Sequence, residues 1–198
     1  MTSSRLEAFS DGVLAVIITV MVLELHVPHG DSVQALWDAT GVGLLTYLLS
    51  FVYVGIYWSN HHHMFQVAEH VDGAVLWANL HLLFWLSLFP FSTAWVDESG
   101  VARTPAVVYG VNLLAAAVAY YLLQLAIFRT TGGDRLRSAL GGDWKGKLSP
   151  VFYLSGIGLA FVEPWLAEVC YVAVAMIWLV PDRRVERYLA AERGGSTG

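Results

Sequence analysis

Residues 5–25 read RLEAFSDGVLAVIITVMVLEL, and this stretch decides the class of the protein. Most of its charged and polar residues lie at the start, and the apolar sequence after them, which carries a single hydroxyl at Thr19, is long enough to enter a bilayer. A hydrocarbon core of about 30 Å takes roughly 20 apolar residues of helix. The whole chain agrees, since 57% of its 198 residues are hydrophobic and 14% are charged. The sequence therefore predicts an all-α integral membrane protein.

Apolar segments separated by turn and charge signals predict six transmembrane helices. They lie at residues 9–27, 41–65, 73–96, 104–128, 148–164 and 165–181. The last two are short, and Glu163-Pro164-Trp165 between them predicts a tight turn at a membrane interface. We predict one six-helix domain over residues 1–181 and a disordered cytoplasmic tail over residues 182–198.

In this six-span arrangement, almost all basic residues of the chain lie on one side of the membrane. Of the 11 Lys and Arg residues, only Arg103 falls on the other side. Because Lys and Arg are retained in cytoplasmic loops, both termini are predicted to be cytoplasmic. The first span has no A-x-A cleavage site, so we expect it to remain in the mature protein.

Other classes of protein find little support in the sequence. The positive charge is concentrated in two segments, so we expect no nucleic-acid partner. Cys170 is the only cysteine, which excludes an intrachain disulfide or a CxxC pair. No H-E-x-x-H pattern or glycine-rich phosphate loop occurs, so we expect no enzyme activity, no cofactor and no soluble substrate.

Placing residues 5–27 on a helix at about 100° per residue separates the first span into two faces. One face carries Arg5, Gly12, Val16, Thr19 and Leu23. Asp11 lies about 140° from Val16 and points toward neighbouring helices. Because an intramembrane carboxylate is costly unless paired, we expect a buried polar network at the cytoplasmic end of the bundle. Its predicted members are Arg5, Phe9, Ser10, Asp11, Trp58, Asn60, His61, His62, Asn79 and His81, with His63 as a further candidate.

The three adjacent histidines, His61 to His63, could also form a metal site, because imidazole is a common metal ligand. Consecutive helical residues diverge by about 100°, however, so the three cannot all face one ion. None has a second ligand at the i+4 position. We therefore expect no metal and favour a hydrogen-bonding role, while a pH-responsive role stays an alternative because histidine titrates near neutrality.

Arg5, Phe9, Ser10 and Asp11 form an R-x-x-x-F-S-D pattern at the start of the first span. This pattern resembles the signature of the bacterial relatives of the lysosomal potassium channel, transmembrane protein 175. The W-x-N-H-H segment at residues 58–62 and the spacing from Asn79 to Pro90-Phe91 resemble later helices of that family. The resemblance extends over residues 1 to about 181 and fits six spans with cytoplasmic termini.

The resemblance implies a potassium-permeable cation channel of the bacterial inner (plasma) membrane, assembled as a homotetramer around a pore lined by the first helices. The implied partners are other copies of the chain and the lipid bilayer, and K⁺ is the permeant ion rather than a cofactor. By position in the motif, the constriction and selectivity residues are Val16, Thr19 and Leu23, which share the face described above.

The implied pore has no TVGYG filter. Rings of Val16 and Leu23 would act as a hydrophobic gate by resisting wetting, and a Thr19 ring would prefer K⁺ over Na⁺ weakly to moderately. Val16 is smaller than the isoleucine or leucine that the family usually has there. Two alternatives stay open: an ordinary packing stripe, and a secondary transporter of a cation or small solute that uses the His/Asp network.

Overall fold

The computed structural model describes residues 2–67, 71–130 and 144–179, and every regular element in these ranges is helical. The helices are α1 (Ser3–Leu23), α2 (Val33–Val67), α3 (Gly73–Ser87), α4 (Phe89–Glu98), α5 (Arg103–Phe128), α6 (Trp144–Leu159) and α7 (Pro164–Leu179). The predicted all-α class is confirmed. The predicted tail at 182–198 and most of the basic stretch at 130–147 lie outside the described residues.

Four stretches of the described chain are long and apolar enough to cross a membrane. They are Ser3–Leu23, Val33–Gln66, Gly73–Glu98 and Arg103–Phe128. The helices α6 and α7 have 16 residues each, which is about 24 Å of helix against a hydrocarbon core of about 30 Å. The chain is a multi-pass membrane protein, and its last two helices are short, as the sequence predicts.

The helices begin and end at different residues from the predicted apolar segments. Helix α1 begins at Ser3 instead of residue 9, because the polar residues before the apolar run continue the backbone hydrogen bonds. Helix α2 begins at Val33 instead of residue 41, where the Ser32 hydroxyl accepts from the Ala35 N–H at 3.0 Å and caps the helix. Hydropathy detects the apolar part of a helix and misses its polar ends.

The third predicted span, residues 73–96, is interrupted at Leu88, between α3 and α4. Pro90 has no N–H to donate to the Leu86 carbonyl, and the Leu88 N–H turns toward the Trp85 and Leu86 carbonyls instead. The helical pattern resumes where the Ser92 N–H donates to the Leu88 carbonyl at 3.0 Å. Pro90 was the sequence signal for this break, which the prediction of one uninterrupted helix overlooked.

The connection between α6 and α7 occupies residues 160–163, and Pro164 is the first residue of α7. Proline is favoured there because the first helical N–H has no partner within the helix. The turn lies slightly earlier than the predicted Glu163-Pro164-Trp165 stretch.

The core of the chain is formed around α5, which packs against α3, α4, α6 and α7. Buried tyrosines fill its centre. The rings of Tyr109 and Tyr171 lie 5.7 Å apart, the Tyr53 hydroxyl donates to the Tyr171 carbonyl at 2.6 Å, and the Tyr171 hydroxyl donates to the Ala106 carbonyl at 3.1 Å. These contacts hold α2, α5 and α7 together, and no residue of α1 takes part in them.

Glycine allows a close approach in this core, between α6 and α7. A methyl group added at Gly156 would lie 2.5 Å from Cε1 of Tyr171, whereas one added at Gly158 would have no atom within 4 Å. The Tyr171 ring has little room to move aside, because the Tyr171 hydroxyl and the Tyr171 backbone carbonyl are both held by hydrogen bonds.

We predict that Gly156→Ala destabilises the protein by about 1–3 kcal/mol through overpacking. The matched control Gly158→Ala adds the same methyl on the same helix and is expected to be neutral or to stabilise by up to about 1 kcal/mol. Thermal unfolding of the purified variants in detergent measures both effects. Equal unfolding temperatures for the two variants would contradict the packing described here.

Candidate functional site

Helix α1 has one face that the rest of the described chain leaves uncovered. Val16 is 59% exposed and Leu23 is 80% exposed, and Thr19 between them is also exposed. We call Val16, Thr19 and Leu23 the exposed stripe. The Thr19 hydroxyl donates to the Val16 carbonyl at 2.9 Å, which satisfies its proton within the helix and leaves its oxygen free to accept.

The opposite face of α1 is buried in the bundle. Leu6, Leu14, Ile17 and Met21 are between 1% and 4% exposed, and Ser10 is completely buried. This face packs on α2, α3 and α4. Helix α1 therefore has a covered side, which fixes its position, and an uncovered side, which is free for another function.

Ser10, Asn79 and His61 form a continuous hydrogen-bonded chain across three helices, which we call the polar anchor. The Ser10 hydroxyl donates to the Leu6 carbonyl at 2.9 Å and accepts from the Asn79 amide nitrogen at 3.0 Å. The Asn79 amide oxygen lies 2.8 Å from His61 Nε2. Because an amide oxygen only accepts, the network assigns the proton to His61 Nε2. The anchor joins α1 to α3 and α3 to α2.

Two further contacts join α1 to α2, one helical turn apart. The Trp58 indole N–H donates to Asp11 Oδ1 at 3.0 Å. His62 Nδ1 donates to Glu7 Oε1 at 2.5 Å, and the Gln66 amide nitrogen donates to His62 Nε2 at 2.8 Å. Asp11 is thus paired with a neighbouring helix, on the side away from the exposed stripe.

Glu7 and Gln66 belong to this site although the sequence reasoning did not assign them to it. Glu7 precedes Asp11 by four residues, and Trp58, His62 and Gln66 are also spaced by four. Residues four apart lie on one side of a helix. The matching spacing on two packed helices was the signal that could have identified both residues.

Four predicted network members lie outside these bonds. Arg5 is exposed, and Phe9 is 52% exposed. The Asn60 amide donates to the Ile56 carbonyl of its own helix at 2.9 Å. His81 accepts from the Trp85 indole at 2.9 Å, also within one helix. The predicted network was too broad here, because one sequence shows neither which side chains stay exposed nor which polar groups are already satisfied within their own helix.

The adjacent histidines point to different helices. His61 bonds to Asn79 on α3, and His62 bonds to Glu7 on α1. His63 contacts the His62 ring, with the centroids 5.8 Å apart. Within the part of the chain that the structure describes, no group of three or more His, Cys, Asp or Glu side chains could hold a metal ion.

An open cleft of about 1090 Å³ lies beside the exposed stripe, between α1 and α4, and we call it the α1–α4 cleft. Phe9, Gly12 and Val16 line it from α1, and Phe91 and Trp95 line it from α4. Glu24 and Glu98 lie at one end. The cleft is apolar along most of its length, and its α1 wall is continuous with the exposed stripe.

We predict that Asn79→Ala destabilises the protein, because it removes two hydrogen bonds and leaves His61 Nε2 buried without its acceptor. The expected loss is about 1–3 kcal/mol. Asn60→Ala is the matched control, since the Asn60 amide donates to the Ile56 carbonyl of its own helix α2. Melting curves in detergent measure both variants, and an equal loss for the two would mean that the anchor has no special role.

The fold closely matches that of a solved channel. The chain is similar to the crystal structure of a lysosomal potassium-selective channel TMEM175 homolog from Chamaesiphon minutus, with a TM-score of 0.76 and 30% sequence identity. The match covers 90% of this chain and 96% of that chain.

Sequence comparisons give the same family. A potassium channel of Chryseobacterium sp. is 50% identical over 190 residues, which is 96% of this chain and 98% of the relative. The endosomal/lysosomal proton channel TMEM175 of Gallus gallus is 34% identical over 131 residues, but this chain matches only 25% of its length. The family model of the endosomal/lysosomal potassium channel TMEM175 matches residues 5–90, which include most of α1 and every residue of the polar anchor. The chain therefore belongs to the TMEM175 family of channels.

Proposed function

We propose that this chain forms a potassium-permeable cation channel of the bacterial inner membrane, with both termini in the cytoplasm. The observation that carries the proposal is the division of α1 into a buried, anchored face and the exposed stripe. An apolar stripe with one hydroxyl, held in a fixed orientation, suits the wall of a pore. The similarity to a potassium channel of Chryseobacterium and to a potassium-selective channel homolog of Chamaesiphon supports K⁺ as the permeant ion.

We further propose that the channel is a homotetramer with one α1 from each copy around a central pore. One chain has a single exposed stripe and cannot enclose a pore with it, so a closed ring requires several copies. The α1–α4 cleft supports this arrangement, because an apolar cleft of that size beside the exposed stripe offers room for a helix of a neighbouring copy.

Val16 and Leu23 are proposed to form the hydrophobic gate. A ring of branched apolar side chains resists wetting when it is narrow, and an ion cannot pass a dry constriction with its water shell intact. The gate needs no charged residue in the pore wall. Asp11, the nearest carboxylate of the motif, accepts from Trp58 and lies away from the stripe.

Thr19 is proposed to give the preference for K⁺ over Na⁺. Its hydroxyl proton is used by the Val16 carbonyl, so the oxygen lone pairs are available to an ion that loses part of its water. K⁺ holds its water less tightly than Na⁺, which favours K⁺ at such a ring. We expect weak to moderate selectivity, because a single hydroxyl ring replaces fewer water molecules than a carbonyl filter does.

This proposal includes no catalytic step. The transporter alternative uses Asp11, His61 and His62 as coupling groups, and these are the side chains that hold α1 to α2 and α3. Groups with a binding role in transport must change partners during the cycle, which would release α1 from the bundle.

Recordings from purified protein in a planar bilayer, with K⁺ on one side and Na⁺ on the other, test the proposed function. We expect currents whose reversal potential is shifted toward the K⁺ equilibrium potential. These currents should follow the electrochemical gradient and should show no saturable coupling to the movement of a second solute. A current carried by protons alone, or coupled saturable flux without a K⁺ current, would contradict the proposal.

We predict that Thr19→Val lowers the K⁺-to-Na⁺ permeability ratio by a factor of about 5, the equivalent of one modest hydrogen-bond contribution of about 1 kcal/mol. Thr46→Val is the matched control, because the buried Thr46 hydroxyl also bonds to carbonyls of its own helix but lies on α2. Reversal potentials under the same gradients give both ratios. An unchanged ratio in Thr19→Val would remove Thr19 from the selectivity mechanism.

A further inference from the structure

A second groove lies between α2 and α7, away from the exposed stripe, with a volume of about 400 Å³. We call it the α2–α7 groove. Its lining is almost entirely apolar and includes Leu45, Leu49, Val52, Val172 and Met176. On α7 the lining extends from Trp165 to Leu179, which is about 21 Å of helix. A strip of that length exceeds the thickness of one leaflet, which is about 15 Å, so it is long enough for the hydrocarbon tail of one lipid.

Glu168 is the one charged side chain of this lining. The residue is only 6% exposed, and its Oε1 atom is buried with no hydrogen-bond partner among the described residues. Both ion pairs found in the described part of the chain involve other residues. A carboxyl group in apolar surroundings without a partner is costly, so a partner from outside the chain would bind there with a gain.

Three hydroxyl groups near Glu168 have hydrogen-bond partners other than Glu168. The Tyr171 hydroxyl donates to the Ala106 carbonyl. The Thr46 hydroxyl, in the same groove, lies within hydrogen-bond distance of the Val42 and Gly43 carbonyls of its own helix. The Tyr109 hydroxyl lies 2.9 Å from the Ser50 hydroxyl. Among the described residues, the Glu168 Oε1 atom is therefore a hydrogen-bond acceptor without a donor, and it lies near one end of the apolar strip.

We propose that the α2–α7 groove binds a phosphatidylethanolamine lipid, with the ammonium group paired to Glu168 and an acyl chain along the apolar strip. A primary ammonium carries a positive charge and three N–H donors, which are the features that the Glu168 carboxyl lacks around it. Phosphatidylcholine has the charge without an N–H donor, and phosphatidylglycerol has neither. Trp165, one turn before Glu168, is a residue type favoured at the headgroup level.

This lipid site does not rest on the proposed ion pathway. The groove shares no lining residue with the α1–α4 cleft. A failure of the K⁺ recordings would leave the lipid site untouched, and a failure of lipid binding would leave the proposed pore untouched.

Native mass spectrometry of the purified full-length protein tests the proposal, using equal amounts of palmitoyl-oleoyl phosphatidylethanolamine, phosphatidylcholine and phosphatidylglycerol. We expect the wild-type protein to retain phosphatidylethanolamine over phosphatidylcholine by about tenfold, as one charge-assisted hydrogen bond would give. Glu168→Gln is expected to abolish the preference. Glu163→Gln, which changes an exposed carboxylate five residues earlier, is expected to retain it.

Equal retention of the three lipids by the wild-type protein would overturn the proposal, as would an unchanged preference in Glu168→Gln. If Glu168→Gln does not fold, Val172→Phe decides the matter, because it fills the groove from an exposed position without altering the carboxyl group. Loss of phosphatidylethanolamine in Val172→Phe would support the site, and full retention would overturn it.

Discussion

The hydrogen-bonded chain from Ser10 through Asn79 to His61 is the constraint on which the arrangement of α1 depends. A helix in a bilayer gains little from the hydrophobic effect when it packs on another helix, so specific polar contacts determine its rotation. Ser10 is completely buried and fixes one side of α1 toward α3. Since the helix is rigid, the same contact turns Val16, Thr19 and Leu23 away from the bundle.

The rest of the bundle is held together by different contacts. Tyr53, Tyr109 and Tyr171 link α2, α5 and α7 through rings and backbone carbonyls, and glycine at position 156 lets α6 approach the Tyr171 ring. This tyrosine core forms a scaffold, and the polar anchor attaches α1 to it. A helix that is packed on the bundle along one face and uncovered along the other can take a further role without weakening the scaffold.

Much of this organisation was predictable from the sequence, because it follows from periodicity and from the cost of buried polar groups. The angular separation of Asp11 and Val16 on a helix predicts that they lie on different sides of α1, and Asp11 does bond to Trp58 on α2. The roles of Arg5, Asn60 and His81 were not predictable in this way, since polar side chains satisfied by solvent or by their own helix look the same in the sequence as network members. The break at Leu88 follows from Pro90, but hydropathy averages over it. That the exposed stripe lines a pore stays a prediction, because it depends on how other copies of the chain pack around α1.

Cysteine accessibility during conduction tests the central claim, that the anchored α1 presents Thr19 to the ion pathway. Cys170 is the only native cysteine, so a Cys170→Ser background allows Thr19→Cys to be compared with Ile18→Cys, whose side chain is half-buried against the core. We expect a water-soluble methanethiosulfonate reagent with a trimethylammonium group to reduce the current through Thr19→Cys and to leave that through Ile18→Cys unchanged. Block of Ile18→Cys without block of Thr19→Cys would show that α1 is rotated differently in the working channel and would contradict the account.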